Sequence, residues 1–592
     1  MYLIKKRNKK GIIMKKKSLL LLLMLVFVAF SMQAKTWYFK IQGTSAWAGK
    51  PAGDVVEIAA NAIGANIVNA AHSSSPEGDT LFVAGGTYEI GGEIMPKANQ
   101  VIVGGFAGTE NKMNDRQRSD VDGNGIVEPW EFTTPTIIKP TAGMTASGKG
   151  YCLGLNEANI TVDGIIFEDF KHTMHSIGGV GVFNKGINGL LQNVVIRNSF
   201  IDTSNTEAGT VNGIIRLQTV GTAVNCLVEY CTLKHSSIQV LGAFFIGVQA
   251  TAIGCVARGN YVSTPTKGYA TGGGFHIHSD RTNGGKLINS IAYNNYVSGT
   301  GGGIFIQANP CKVINSVAVN NVSGQNRGPG IAMNNGGYMY NTVAWGNTAE
   351  VGYTHDILYI NSKFGGKPDG AYNVYHVNNN AGKTGREATS WGSDAVHFPE
   401  LTSHVNLTQT KKGSRPSNTV DDNSGTPVLY APKFKAPTAF QGLSQTNVAT
   451  LSAESKAAIN KGNYQLLYDS PLINKGSTNY VTTYDVEKDF IGETRTLGAS
   501  TDIGAFEFNP AQSIGNNVST TNNLKVFYGN SSIIVVGLQD YSTVKIFDLQ
   551  GKLLKSVSAT DATPIPFTMN SGVYIVSVEL NSVNKIFKII IS

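Results

Sequence analysis

The chain is poor in charge. Asp, Glu, Lys and Arg make up only 15% of its 592 residues. It also lacks a long apolar run. The longest, Ser18 to Phe30, is shorter than the ~20 residues a membrane-spanning helix needs. The five cysteines (Cys152, Cys226, Cys231, Cys255 and Cys311) are odd in number, scattered, and never spaced as CxxC. That pattern excludes a disulfide framework and gives no zinc signature. Their expected place is the core, as small apolar fillers. The formal net charge of +8 is concentrated in the lysine-rich first 17 residues, which contain no acid. The remainder of the chain is near neutral, so no nucleic-acid partner is indicated.

What the chain has is glycine, 68 residues of it, with abundant Asn, Ser and Thr. Low charge with many turn formers suits a β-rich extracellular protein. The order basic, apolar, small through residues 1–34 reads as a secretory signal peptide, with Met14 as the expected start.

The middle of the chain repeats. Lys286-Leu-Ile-Asn-Ser-Ile-Ala, Lys312-Val-Ile-Asn-Ser-Val-Ala and Met339-Tyr-Asn-Thr-Val-Ala place Asn289, Asn315 and Asn341 at steps of 26 residues. The register runs back through Gly254, Asn225, Asn193 and Asp163. A second strand recurs as Phe275-His-Ile-His, Ile304-Phe-Ile-Gln and Ile331-Ala-Met-Asn. Earlier coils supply Ile215-Arg-Leu-Gln and Ile246-Gly-Val-Gln, and a later one Leu358-Tyr-Ile-Asn. Period-2 alternation means strands with one buried face. Short strands, a turn between each and a fixed step predict a parallel solenoid. Asn at one corner of successive coils predicts an amide ladder along the axis.

The stretch Asn159-Ile-Thr-Val-Asp-Gly-Ile-Ile-Phe resembles the opening coil of the right-handed β-helix, pectate-lyase-like superfamily. Gly78-Asp-Thr-Leu-Phe-Val-Ala-Gly-Gly-Thr-Tyr and Val101-Ile-Val-Gly-Gly-Phe resemble the N-terminal coils of secreted members. Ser470-Pro-Leu-Ile-Asn-Lys-Gly, Arg495 and Thr501-Asp-Ile-Gly-Ala-Phe-Glu resemble the closing segment of choice-of-anchor Q β-helix proteins. The resemblance implies an all-β fold, a right-handed parallel β-helix over residues 35–510. A polar linker comes next, at 511–523. Residues 524–592 alternate as a small antiparallel β-sandwich. Val544-Lys-Ile-Phe-Asp-Leu-Gln-Gly-Lys with Gly572-Val-Tyr-Ile-Val is similar to the C-terminal sorting domain of type IX secretion. That resemblance implies outer-membrane secretion machinery as a partner, and a location outside the cell, or on its surface, in a Gram-negative, Bacteroidetes-like bacterium.

Three constellations could carry chemistry. Asp120-Val-Asp-Gly-Asn-Gly-Ile-Val-Glu-Pro-Trp-Glu131 matches D-x-[DN]-x-[DN]-G-x5-E in full. Asp120, Asp122, Asn124, the Ile126 carbonyl, Glu128 and Glu131 are the expected ligands of Ca2+, and Gly125 permits the sharp turn. Second, the outward rows are expected to bind a polysaccharide. One row reads Arg216, Gly247, His276, Phe305, Ala332, Tyr359. Its neighbour reads Gln218, Gln249, His278, Gln307, Asn334, Asn361, and a third reads Arg197, Glu229, Arg258, Tyr293, Val319, Trp345. Third, His276, His278 and Arg281 are the candidate catalytic group for a lyase, which needs a base and a cation facing a uronate carboxylate. Asp280, Lys267 and Tyr269 flank them. His172 and His175 support no clear role. The NTD, DD and GHG signatures of polygalacturonases and the Arg-x-Pro-x-x-Arg of one pectate lyase group are absent. The reading is therefore a non-catalytic or adhesin-like glycan binder, with β-elimination on uronate-containing glycans as the alternative.

Overall fold

The computed structural model describes residues 34–58, 78–147 and 152–173 and, with short breaks, 182–360, 432–509 and 519–591, together with the strand backbones at 368–371, 374–375, 419–421 and 427–429. The predicted signal peptide and most of the linker lie outside the described residues. The body is a parallel β-helix. One coil runs through Lys286–Ile288, Ile291–Tyr293, Tyr296–Val297 and Ile304–Ile306, and the next begins at Lys312–Ile314. These four strands belong to four stacked sheets, here numbered first to fourth in that order. The first holds 12 strands, the second 10, the third 7 and the fourth 8. Every neighbouring pair in the coils is parallel, with Lys286 opposite Lys312 and Lys312 opposite Tyr338.

Each coil thus has more strands, and shorter ones, than the repeat suggested. The stretch from Lys286 to Ala292 is two strands broken at a corner. Asn289 sits there with φ 48°, and Asn193, Asn225, Gly254, Asn315 and Asn341 share its left-handed backbone. Only Gly and, at modest cost, Asn adopt that region readily. The corner in the opening coil is Gly164, with φ 69°, rather than Asp163. Asp163 pairs instead with Gln192.

The axial amide ladder exists, but on another set of asparagines. Asn260, Asn295, Asn321 and Asn347 face inward at the next corner. From Asn260 to Asn321, each Nδ2 donates to the Oδ1 of the following coil at 2.9 Å. Each Nδ2 in the run from Asn260 to Asn347 also reaches a backbone carbonyl of an earlier coil at 2.8–2.9 Å. A buried amide needs all of these partners. At the expected corner, Asn193 donates to Asp163 Oδ1 of the previous coil at 2.7 Å, while Asn289 and Asn341 turn toward the C-terminal segment. Asn289 donates to the Lys488 carbonyl, and Asn341 exchanges bonds with the Ser477 backbone.

The interior is one continuous apolar column. Leu287, Val313 and Met339 fill it from the first sheet, Ala292, Ala318 and Ala344 from the second, and Ile304, Ile306, Ile331 and Met333 from the fourth. All five cysteines are unpaired and buried. Burial pushes the Cys231 thiol up to about 12 and that of Cys311 to about 11, so both stay protonated and inert. At the N-terminal end, Trp47 packs against Phe106 and Tyr38 in a separate aromatic cluster. Residues 519–591 form two four-stranded antiparallel sheets. Val544, Ile546, Val576, Val578 and Phe587 share their core, as the alternation required.

Candidate functional site

The outer face of the fourth sheet gathers most of the predicted binding residues. The register pairs Arg216 with Phe245, Phe245 with His276, His276 with Phe305 and Phe305 with Ala332. Gly247 was expected where Phe245 stands. The expected alignment has the observed alternation, with Ile246 inward in both, but is displaced by two residues: Phe244 stands where Ile246 was set, and Gly247 falls in the place given to Gln249. Gln249 consequently leaves the row. It lies in an exposed turn with φ 61° and donates to Asn283. Tyr359 is also displaced, pairing with Met333 rather than Ala332. A one-residue slip moves a strand's residues to the opposite face. Asn361 lies outside the described residues.

The ring row is stacked on itself. His276 sits between Phe245 at 5.5 Å and Phe305 at 5.1 Å, and Arg216 lies 5.9 Å from the Phe245 ring. All four side chains are buried. Ring faces used this way are not free to lie beneath a sugar. The next row is different. Gln218, His278, Gln307 and Asn334 are half-buried and come directly after inward Leu217, Ile277, Ile306 and Met333, with Gly247 holding the same place on the strand between Gln218 and His278. Amide and imidazole edges that both donate and accept match sugar hydroxyls, which do the same.

His276 has one nitrogen engaged and one open. Its Nδ1 lies 2.9 Å from the Thr271 hydroxyl, while its Nε2 is buried with no partner. Burial, with His278 adding to it, holds its pKa well below the usual imidazole range. Burial lowers His278 as well, against the opposing charge of Asp280 and its bond to Gln307. Both are therefore neutral at pH 7 and able to accept a proton. Arg281 stands apart from the ring row. It is exposed, with φ 76°, in the turn after His278, and its backbone amide donates to the Ser279 hydroxyl. The cation on the histidine row is Arg216. Phe245 and Thr271 were missed in the sequence, Phe245 because the alternation permits a register two residues away. Thr271 belongs to an extra short strand, Ala270–Thr271, which the repeat did not reveal. His172 pairs with inward Ile201 and is buried, while His175, Lys267 and Tyr269 lie outside the described residues.

The third row, from Arg197 to Trp345, lies on the second sheet as expected, but most of it is not a free surface. Tyr293 and Val319 are buried beneath Ile126, Trp130, Ile459, Tyr464 and Phe506. Arg258 is buried too, bonded to Glu229 at 2.8 Å and to Asp122 at 3.0 Å. Two distant parts of the chain, 120–131 and 453–508, supply this cover.

Asp122 belongs to the predicted calcium loop. Carboxylate oxygens of Asp120, Asp122 and Glu131 lie within 4.8 Å of one another. Asp120 shapes the turn by accepting from the amides of Gly123, Asn124 and Gly125. Glu131 accepts from those of Val121, Asp122 and Glu128. Asn124 donates to Glu128 at 2.7 Å and accepts from the Ile126 amide. The second oxygen of Glu128 is buried without a partner. Burial, opposed by Arg258, pushes Asp122 up to about 6, and burial with Asp122 nearby raises Glu128 well above the carboxylate range.

No family model and no curated protein matches the chain. Among solved structures, it is similar to the pectate lyase Pel9A, at 15% identity over 81% of this chain and 98% of that one, with a TM-score of 0.34. The alginate lyase AlyGC, of family PL6, is 15% identical over 52% of this chain and 41% of its own, with a TM-score of 0.22. PfbA, a surface adhesin of Streptococcus pneumoniae, is 11% identical over 52% of this chain and 86% of its own, with a TM-score of 0.22. These likenesses say nothing of substrate, and the strand register itself defines the fold.

Proposed function

We propose that the protein is an exported polysaccharide-binding β-helix whose contact surface is the outer face of the fourth sheet. The observation that carries this reading is the half-buried row Gln218, His278, Gln307 and Asn334. From His278 to Asn334 it places hydrogen-bonding planar groups on neighbouring strands ~4.8 Å apart, with Gln218 two strands before His278, beside a self-stacked ring row. An extended chain of sugars suits such a repeating edge. Titrating polysaccharides in affinity electrophoresis tests it. Retardation by at least one glycan, weakened by Gln307→Ala, supports the reading; migration unchanged by every glycan offered contradicts it.

A second reading, a polysaccharide lyase, is favoured by the unpartnered Nε2 of neutral His276, buried on the same face as Arg216 and reachable only if the ring row moves. A base and a cation on one face are what proton abstraction beside a carboxylate requires. Release of unsaturated product from a uronate glycan, lost in His276→Ala, would establish it. The segment 1–34 and the sandwich 524–592 fit export and outer-membrane passage. Deleting 524–592 should then trap the protein inside the cell envelope, and normal release without it would refute the sorting role.

A further inference from the structure

The covered face of the second sheet carries an inference independent of the carbohydrate reading. We propose that the loop 120–131 binds one Ca2+ and that the bound ion clasps residues 453–466 against the coils. Five carboxylates meet here: Asp120, Asp122, Glu128, Glu131 and Glu229. Among the described residues, the buried cation bonded to this group is Arg258, held by Glu229 and Asp122. Glu128, Glu131 and Glu229 are buried, with Asp122 half-buried and Asp120 exposed, and buried negative charge in excess of the one buried cation is costly unless a further cation compensates it. The partnerless oxygen of Glu128 is the second sign. Glu128 is 5% exposed, and its other oxygen is fixed by Asn124, inside the same turn as the three converging carboxylates. Short oxygen donors around a Gly turn suit a hard cation, and flexible loops of this kind favour Ca2+ over Mg2+.

The loop is also a joint. Asn463 donates from Nδ2 to the Asn124 carbonyl at 2.9 Å, across 339 residues of sequence. Asn463 ends the turn after the helix Ala453–Asn460 and opens the strand Asn463–Leu466. Beside it, Tyr464 packs on Tyr293 with ring centres 4.9 Å apart. Asp122 links the loop to the coils through Arg258. An ion on Asp120, Asp122 and Glu131 would therefore fix both the Asp122 carboxylate that holds Arg258 and the Asn124 backbone that holds Asn463. It joins an early part of the chain to a late one, over coils neither belongs to.

The test uses the full secreted chain with Ca2+ alone. Calorimetric titration should show one saturable site, with a Kd on the order of 10⁻⁴–10⁻³ M for an extracellular module. Hydrogen exchange with Ca2+ against chelator should slow at least tenfold in 120–131 and in 453–466, with the strands between 286 and 319 unchanged. Asp120→Asn, which keeps an acceptor for the turn amides, should abolish both effects. Asn463→Ala should keep the protection of the loop and lose that of 453–466. Absence of saturable binding overturns the site. Protection confined to 120–131 in the unaltered protein overturns the clasp, and equal binding of Mg2+ overturns the assignment to Ca2+.

Discussion

Asn295→Ala should be among the most damaging single changes in the coils, and its bonds set the cost. Its Oδ1 accepts from the Asn260 amide and from Asn260 Nδ2, and its Nδ2 donates to the Ala257 carbonyl and to Asn321 Oδ1. Four bonds at about 1 kcal/mol net each, with a buried amide left unpaired, give a loss of about 3–5 kcal/mol. Asn315 is the control. It is as buried, yet neither of its amide atoms has a partner. Its φ of 48° suits glycine, which already occupies the same corner at Gly254. Asn315→Gly should therefore change stability by no more than about 1 kcal/mol. Urea unfolding followed by circular dichroism compares the two. The coils are coupled to their neighbours, so the double variant Asn295→Ala, Asn321→Ala should cost less than the two separate losses together. Equal shifts for Asn295→Ala and Asn315→Gly would refute the ladder as the source of axial stability.

The other predictions concern the closing segment and the proposed sites. Arg495 is fully buried, bonded to the Gly504 carbonyl amid Asp489, Asp502 and Glu507. Arg495→Met should cost about 3–5 kcal/mol, measured as a lowered urea midpoint, because it strands buried carboxylates; a loss under about 1 kcal/mol would show that they hold the segment without it. Burial raises Glu507 to about 8 and Asp502 to about 6. A carboxyl whose folded pKa is raised binds its proton more tightly when folded. Its stabilising effect is complete below the ordinary value of 4.5 and lost as pH rises through about 8. The melting temperature should thus fall between about pH 5 and 9, and less steeply in Glu507→Gln; identical slopes would argue against it. In glycan titrations, Gln307→Ala should weaken binding about tenfold, the equivalent of one hydrogen bond, whereas Gln249→Ala should leave it unchanged. Equal losses would restore Gln249 to the row.

The coil step and the inward-facing strands were legible in the sequence because period and alternation are properties of the chain itself. The frame was not always so. Phe244-Phe-Ile-Gly-Val keeps the same inward face in two registers two residues apart, and only pairing with Ile215–Leu217 chooses between them. The ladder was placed on the wrong asparagines for a related reason. Asn289 and Asn295 both recur at the coil step, and nothing local says which corner turns its amide inward. The cover on the second sheet was invisible, because it depends on residues such as Ile126 and Tyr464, far from the coils in sequence. The proposed calcium loop is the reverse case. Its donor spacing is local, so the sequence could assemble it, but its bond to Asn463 could not be read there.

The central claim is that a polysaccharide lies along the row Gln218, His278, Gln307 and Asn334. The most direct measurement is affinity electrophoresis of the purified protein, unaltered and as Gln307→Ala, across neutral and acidic polysaccharides. Binding along this row predicts retardation by at least one polysaccharide and a clear loss of it in the variant. Retardation identical in the two proteins would place the binding surface elsewhere and contradict the claim.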